Sequence, residues 1–286
     1  MSSVQLSPSS AELDAAVNRE FRTERGRRKR DVLLAILTPI ALLAVWELAA
    51  KVGVVDARLF TPPTKIAETG WQMMLTGQLW LHVVPTVLRL LVGFVVGVVL
   101  GVAAGLLMGV WRPLRAAVGP MFTALYALPK IAILPLLLLI FGLTETPKVL
   151  AVVISVFFVV QISTLAGIVQ IDSRILEAGR AYGATGWKRF RFVLLPAAIP
   201  EIFTGLRVAA GSAVIVVTAV EFVASNSGLG YLIWNSWQLF QPAQMYVGLI
   251  AVSLVGALTT ALVILLERLL LPWQQTAKIS RKKEDK

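Results

Sequence analysis

The residues of this chain that could make or break covalent bonds are few and poorly placed. Among 286 residues there is no Cys and a single His, His82, which excludes thiolate metal sites, Cys catalysis and paired-His metal sites. The segment Gly183–Lys188 lacks the G-x-x-x-x-G-K-[ST] spacing of a phosphate-binding loop, and Ser225–Gly228 has no usable base. We therefore expect no catalytic residue, metal or cofactor in this chain.

Charged side chains inside the apolar stretches of the sequence are the next candidates for function. They are Glu47, Arg89, Lys130, Arg207 and Glu221. A Lys at the centre of a bilayer costs about 2.5–3.5 kcal/mol on insertion scales, so such a residue marks a pathway or a paired charge. Lys130, Arg207 and Glu221 are the candidate pathway residues. Pairing among the charges, and snorkelling of Lys130 to the membrane surface, are the alternatives.

A glycine recurs at every fourth residue in one apolar stretch, at Gly93, Gly97, Gly101, Gly105 and Gly109. Positions four residues apart share one face of a helix, so these glycines form a bare groove about 24 Å long at about 1.5 Å per residue. Another helix can approach such a groove closely. Packing within the chain is the favoured interpretation, and a dimer seam or a sliding transport interface are the alternatives.

The elements that must position these residues are membrane-spanning helices. The chain is 57% hydrophobic and 15% charged, whereas soluble domains are about 25% charged, so a soluble enzyme is excluded. A span needs about 20 apolar residues, and prolines at 120, 129 and 135 break the third candidate. The sequence predicts an all-α polytopic membrane protein with six spans, at residues 32–52, 84–110, 118–141, 148–169, 199–222 and 246–270.

The distribution of basic residues predicts the orientation of these spans. The net charge of +11 is not gathered on one folded face with stacking aromatics, which argues against nucleic-acid binding. If the basic arm 1–31 is cytoplasmic, 20 Lys and Arg residues lie inside and four outside, as the positive-inside rule favours. We expect a cell-membrane protein with a membrane-spanning domain at 32–272, a basic tail at 273–286 and both termini in the cytoplasm.

One long cytoplasmic connection, residues 170–198, separates the fourth and fifth predicted spans. Asp172 and Ser173 can cap a short helix, and Gly183 can end it in the left-handed conformation. A second short helix from Thr185 to Val193 would place aromatic and basic side chains together. Exposed aromatics of this kind suggest a docking surface for a soluble partner, and a helix lying on the membrane surface is the alternative.

The spacing within this connection resembles the E-A-A-x3-G-x9-I-x-L-P loop of permease subunits in binding-protein-dependent ABC importers. Gly179 stands for the second Ala and Val193 for the Ile, and the other five identities match at Glu177, Ala178, Gly183, Leu195 and Pro196. Three further runs are similar to the nitrate, sulfonate and taurine branch of that family: Leu128–Leu136 with Phe141–Leu143, Ala219–Phe222, and Ser227–Tyr231.

This resemblance implies six spans of the type I importer permease kind and a defined set of partners. They are a second permease copy, two cytoplasmic ATPase subunits that bind ATP and Mg²⁺, an external solute-binding protein and the membrane lipid. The residues that would couple the permease to the ATPase are Glu177, Ala178, Gly179, Gly183, Trp187, Val193, Leu195 and Pro196. The branch covers small oxyanions and sulfonates as well as aromatic acids and pyrimidine vitamin precursors, and Lys130 and Arg207 favour an anion such as a sulfonate, nitrate or a related organic acid.

A secondary active transporter or a channel for a small anion is the alternative function. Carriers of that kind are often built from repeated halves with broken helices in corresponding positions. The sequence shows one broken span without a counterpart. An intramembrane enzyme would need a nucleophile–base pair or a metal set, which the sequence lacks.

Overall fold

The computed structural model describes residues 10–272, with side chains for residues 30, 31 and 33–272. All regular structure in this part of the chain is helical. A 3₁₀ turn lies at Lys130–Ile133 and a π turn at Phe190–Leu194. The helices are α1 Ser10–Val52, α2 Pro63–Leu75, α3 Gln78–Val110, α4 Arg112–Ala127, α5 Leu134–Phe141, α6 Glu145–Val169, α7 Ser173–Ala181, α8 Gly186–Arg189, α9 Leu195–Ala224, α10 Leu229–Gln238 and α11 Pro242–Leu270.

Within the described residues, five helical stretches are long and apolar enough to cross a membrane, and a bent pair makes a sixth if counted as one span. The bent pair, Arg112–Ala127 with Lys130–Phe141, covers the predicted third span at 118–141, which the sequence expects to be broken at proline. Helix α4 lies before the break, and the 3₁₀ turn with α5 lies after it. These two parts meet at an angle of 95°. The break falls at Leu128 and Pro129, whose backbones are extended or irregular. Proline removes a helical hydrogen bond and disfavours helical geometry in the residue before it.

Two other boundaries differ from the sequence prediction. Helix α3 begins at Gln78 rather than at residue 84, directly after Gly77 with its left-handed φ of 80°. The fifth span is one helical stretch from Gly186 to Ala224, so the expected separate short helix at 185–193 is its first part. Pro196 cannot donate a backbone hydrogen bond, and the helix widens into the π turn just before it.

The described residues fall into two compact units that divide between Ala67 and Glu68. In the first unit, α1 begins at Ser10, so the predicted basic arm continues without a break into the first span. The carboxylate of Glu47 accepts hydrogen bonds from Thr64 N at 3.0 Å and Thr64 Oγ1 at 2.8 Å. Glu47 therefore caps the first turn of α2, and it also pairs with Lys51 at 2.8 Å.

In the second unit, the glycine face of α3 packs against α6 of the same chain. A Cβ atom added at Gly93 would lie 2.6 Å from Val152 Cβ, and one at Gly109 would lie 2.6 Å from Ile168 Cδ1. Gly97, Gly101 and Gly105 meet α6 equally closely between these two points. The contacting residues have rising numbers in the same direction along both helices, so α3 and α6 run parallel. The chain between them must therefore return across the same depth, which is the path of α4 and α5.

Helix α9 completes the core of the second unit by packing antiparallel to α6. Gly205 lies against Ser163, and a Cβ added at Gly167 would lie 2.9 Å from Glu201 Cβ. Valine and alanine side chains fill the space between α3, α6 and α9. Most large apolar side chains on the outer faces of α3 and α11 are exposed, as expected for surfaces that contact lipid.

Replacing Gly101 with alanine is expected to lower the free energy of unfolding by about 1–3 kcal/mol, the usual cost of overpacking. The new Cβ would lie 2.8 Å from the carbonyl oxygen of Phe157 and 3.2 Å from Gln161 N, and backbone atoms cannot rotate away. Thermal unfolding of the purified protein measures the change. Gly211→Ala is the matched control, because nothing lies within 4 Å of a Cβ there and alanine favours a helix by about 1 kcal/mol. Equal midpoints for the two variants would contradict the packing.

Candidate functional site

A helical hairpin at residues 172–196, which we call the coupling hairpin, contains the residues that resemble the importer loop. Its first arm is α7, which begins where the Asp172 side chain accepts a hydrogen bond from Arg174 N at 2.8 Å. This is the expected N-cap. Glu177 and Ala178 are exposed in the middle of α7. The helix continues through Gly179, although glycine lowers helix propensity by about 1 kcal/mol.

Gly183 ends α7 by adopting φ of 72°, a left-handed conformation that side chains disfavour. Gly183 N donates to Arg180 O at 2.9 Å, and Ala184 N donates to Gly179 O at 2.9 Å. These two bonds form a Schellman motif, which satisfies carbonyl groups left free at the end of a helix. The family glycine at this position is therefore required by the backbone of the turn.

The second arm of the coupling hairpin runs through α8 and the π turn into α9. A Cβ added at Gly179 would lie 3.0 Å from Val193 Cγ2, so the two positions that depart from the family pattern face each other. Leu195 and Pro196 begin α9 and are half-buried. The small side chains at 179 and 193 therefore set how closely the two arms pack.

The outer surface of the coupling hairpin carries exposed aromatic side chains among basic ones. Tyr182 is 92% exposed, Trp187 73% and Phe192 72%. Within the described chain, Glu177 makes no hydrogen bond or ion pair. Exposed aromatic side chains on one protruding hairpin are typical of a surface that binds another protein.

A second candidate site is a group of charged and polar side chains near one end of α3, α6 and α9, largely buried except for Glu145, whose side chain is 61% exposed. We call it the Arg89 cluster, and it consists of Thr86, Arg89, Glu145, Lys148, Glu221 and Ser227. The side chain of Glu221 has no exposed area, and those of Arg89 and Lys148 are each 4% exposed. Two cations and two carboxylates balance within the cluster, as buried charges require.

Every N–H group of the Arg89 guanidinium has an acceptor in this cluster. Nε and one terminal nitrogen donate to the two oxygens of Glu145, at 2.5 and 2.8 Å. The other terminal nitrogen donates to Glu221 Oε1 and to Ser227 O, both at 2.8 Å. The fifth bond runs to Ser227 Oγ at 3.1 Å. All five donors of an arginine side chain are thus used.

Glu221 connects the cluster to the start of α10. Its carboxylate accepts hydrogen bonds from Thr86 Oγ1 at 2.9 Å and from Gly230 N at 2.8 Å. Gly228 has φ of 111°, and a Cβ added there would lie 2.5 Å from each carboxylate oxygen. Two segments that resemble the sulfonate branch, Ala219–Phe222 and Ser227–Tyr231, therefore meet at this carboxylate.

This placement bears on the candidate pathway residues. Glu221 faces no open surface in the structure, because the cluster encloses it. The partners of Arg89 were missed by sequence reasoning, since Glu145 and Glu221 lie 56 and 132 residues away along the chain. The within-span charges at 89 and 221 were the available signal, since each needs a partner of opposite charge.

Lys130 lies at the sharp bend between α4 and α5. Its ammonium donates to the carbonyl of Tyr126 and lies 4.3 Å from the centroid of the Tyr126 ring. No carboxylate within the described residues pairs with it. A half-exposed cation at a break in a membrane-spanning segment can attract an anion.

Arg207 lies on α9 and pairs with Glu267 of α11 at 3.3 Å. Its side chain is 40% exposed, and it also donates to Thr204 Oγ1 at 3.3 Å. The structure therefore places Lys130, Arg207 and Glu221 in three separate environments. It does not bring them together into one site.

Residues 97–275 match the protein family described as "Binding-protein-dependent transport system inner membrane component". The chain belongs to this family. It is an ABC importer permease subunit and a multi-pass membrane protein with several apolar helices. Permeases of this family transport solutes and are not themselves enzymes. Membership implies an ATPase and a binding protein as partners.

Several curated permeases are similar to this chain over most of its length. The putative aliphatic sulfonates transport permease protein SsuC of Bacillus subtilis (strain 168) is 32% identical, over 89% of this chain and 92% of its own. The taurine transport system permease protein TauC of Escherichia coli (strain K12) is 29% identical, over 85% and 90%. The riboflavin transport system permease protein RibX of Chloroflexus aurantiacus is 36% identical, over 83% and 89%.

The fold agrees with a solved importer. A chain of the MetNI methionine ABC transporter, in an inward-facing conformation, superimposes with a TM-score of 0.54 at 20% identity. The match covers 67% of this chain and 96% of that one. The prediction of an all-α type I importer permease fold is thereby confirmed.

Proposed function

We propose that this permease moves a small sulfonate or a related small anion into the cell as a homodimer. An external binding protein delivers the solute, and a cytoplasmic ATPase dimer binds ATP and Mg²⁺ and docks on the coupling hairpin. Both termini of the permease lie in the cytoplasm, and lipid surrounds its outer faces. The chain itself holds no cofactor.

The observation that carries the proposal is the geometry of the coupling hairpin. It is capped at both ends of α7, presents the exposed Glu177 and Tyr182 on that arm, and its second arm continues as one helical stretch into the fifth span. A force applied to such a hairpin moves α9, because the second arm is continuous with α9 and the first arm packs against the second at Gly179 and Val193. The hairpin therefore suits a docking element that passes movement from the ATPase to the membrane helices.

The transport cycle that follows is alternating access. The ATPase can shift the permease between inward-open and outward-open states only by binding the two states differently. The coupling hairpin supplies those differential contacts, and α9 transmits them to the core formed with α3 and α6. Solute released by the binding protein enters the outward-open state and leaves from the inward-open state.

The chemical class of the solute is inferred from relatives and from one side chain. Relatives named for sulfonates and taurine favour an anion, but the relative named for riboflavin has a higher sequence identity, 36% against 32% and 29%. The names of the relatives therefore do not decide the class of solute, and the inference depends on the side chains along the pathway. Lys130 is half-exposed at the bend, so we assign the anion pathway to Lys130, with Arg207 as a second cation, rather than to the enclosed Glu221.

Growth on a sulfonate as the only sulfur source tests the proposed solute. Native cells that lack this chain are expected to lose growth on an alkanesulfonate and to keep growth on sulfate. Lys130→Arg should restore growth, whereas Lys130→Gln, of similar length but uncharged, should reduce sulfonate uptake about tenfold, equivalent to about 1.4 kcal/mol. Unchanged growth of the deletion strain on every sulfonate tested would contradict the proposed solute.

Single introduced cysteines test the proposed orientation, because the chain has no Cys of its own. Tyr182 is 92% exposed on the coupling hairpin and Phe240 is 88% exposed after α10. A membrane-impermeant maleimide added to intact cells should label Phe240→Cys and leave Tyr182→Cys unlabelled until the membrane is permeabilised. The opposite labelling pattern would reverse the proposed topology.

A further inference from the structure

An apolar groove lies between the end of α3 and the second arm of the coupling hairpin. One wall is the last two turns of α3 with Trp111, and the other wall is Gly186, Trp187 and Phe190. The volume of the groove is about 640 Å³, within the range of about 300–1,000 Å³ typical of small-molecule sites. Every residue that lines the groove is apolar or is a glycine.

The aromatic side chains of this groove are exposed although they are large and apolar. Trp111 is 59% exposed and Trp187 is 73% exposed. The rings of Trp187 and Phe190 contact each other, with centroids 5.1 Å apart. Exposed apolar patches of this size on a folded protein are usually covered by a partner or by lipid.

The position of the groove favours lipid over protein. Its longer wall is α3, which is apolar enough to cross a membrane along its whole length from Gln78 to Val110. The groove begins where that helix ends, which is the level of the membrane–water interface. Tryptophan is enriched at this level because its ring is apolar and its N–H group is polar.

The residues that flank the groove are basic. Arg112 follows Trp111, Lys188 and Arg189 follow Trp187, and Arg191 follows Phe190. Neither segment 103–115 nor segment 184–192 contains an acidic residue. The Nε atom of Arg189 is shielded from solvent and has no hydrogen-bond partner within the described chain. These charges suit an anionic group at the mouth of the groove, since basic pockets at this depth bind acidic lipid headgroups.

We propose that the groove binds an anionic phospholipid. One acyl chain lies along Leu107, Val110 and Trp187, and Arg112, Lys188 and Arg189 hold the phosphate. The lipid covers the exposed aromatic rings and links α3 to the second arm of the coupling hairpin. Trp187, which the importer resemblance assigns to ATPase coupling, then contacts lipid. The partner ATPase binds the first arm of the hairpin.

Native mass spectrometry of the full chain, purified and delipidated in detergent, tests this site without any requirement for transport. The chain is titrated with phosphatidylglycerol or with phosphatidylcholine. Wild-type protein is expected to bind phosphatidylglycerol more tightly. In the double variant Lys188→Gln, Arg189→Gln, the ratio of phosphatidylglycerol affinity to phosphatidylcholine affinity should fall about fivefold for each charge removed. Trp187→Ala should weaken the binding of both lipids, since it removes part of the apolar wall.

Arg180→Gln on α7 is the matched control, because Arg180 is an exposed cation on the other arm of the same hairpin. It should bind both lipids as the wild type does. Equal wild-type affinity for the two lipids would overturn the proposal, as would unchanged phosphatidylglycerol binding in the double variant. Loss of co-purifying ATPase from Trp187→Ala, with lipid binding unchanged, would assign the groove to the ATPase and also overturn it.

Discussion

Replacing Arg89 with alanine is expected to lower the free energy of unfolding by about 3–5 kcal/mol, the usual cost of removing one partner of a buried ion pair. The change leaves the carboxylate of Glu221 without a cation in a site that has no exposed area. It also leaves Ser227 O without its donor, which loosens the connection to α10. Thermal unfolding of the purified protein, together with its level in the membrane, measures the loss.

Two further variants make this prediction specific. Arg89→Lys keeps the charge but cannot form five bonds in a planar fork, so it should give an intermediate loss. Arg207→Ala removes a cation that pairs with Glu267, and the arginine side chain of this pair is 40% exposed. Ion pairs as exposed as this one contribute about 0–1 kcal/mol. If Arg89→Ala unfolded at the same temperature as Arg207→Ala, the Arg89 cluster would not hold these helices together.

Glu177→Lys and Gly183→Pro are each expected to abolish uptake while the protein still inserts in the membrane. Glu177 is an exposed carboxylate on the coupling hairpin, so a lysine there reverses the charge offered to the ATPase without disturbing a described contact. Gly183 has φ of 72°, whereas proline fixes φ near about −65°, so the turn cannot form. Uptake at equal membrane level, measured with labelled solute, tests both variants.

A glycine elsewhere in the chain separates backbone strain from loss of docking. Gly183 and Gly77 both have left-handed φ, and nothing lies within 4 Å of a Cβ added at either. Alanine should therefore cost a similar amount of stability at the two positions, about 1 kcal/mol. Only Gly183→Ala is expected to reduce uptake. Equal uptake by the two alanine variants would remove Gly183 from the docking role.

Local features of the sequence predicted the helices and the turn of the coupling hairpin. Asp172 caps the helix that begins beside it, and Gly183 forms the left-handed turn that ends this helix. Because both effects are local, the residue types alone indicate the structure. The glycine at every fourth residue likewise indicated a bare helical face. It did not indicate which helix would cover that face, because the contact of α3 with α6 joins residues about sixty positions apart.

The buried charges were harder to interpret from sequence because their meaning depends on distant partners. Glu221 was a candidate pathway residue as an isolated charge in an apolar run, but its neighbours are Thr86 and Arg89 on another helix. Pro129 predicted a break in the third span. The angle of 95° at that break depends on packing against other helices, which no local pattern specifies.

We propose that the first arm of the coupling hairpin binds an ATPase. The most direct measurement is affinity purification of the tagged chain from native membranes in mild detergent, with the captured proteins identified by mass spectrometry. Wild-type protein and Lys188→Gln, a variant on the second arm, should recover an ATP-binding-cassette ATPase at equal yield, and Glu177→Lys should recover little or none. Recovery of the wild-type permease without any ATPase, from membranes that still transport the solute, would contradict the claim.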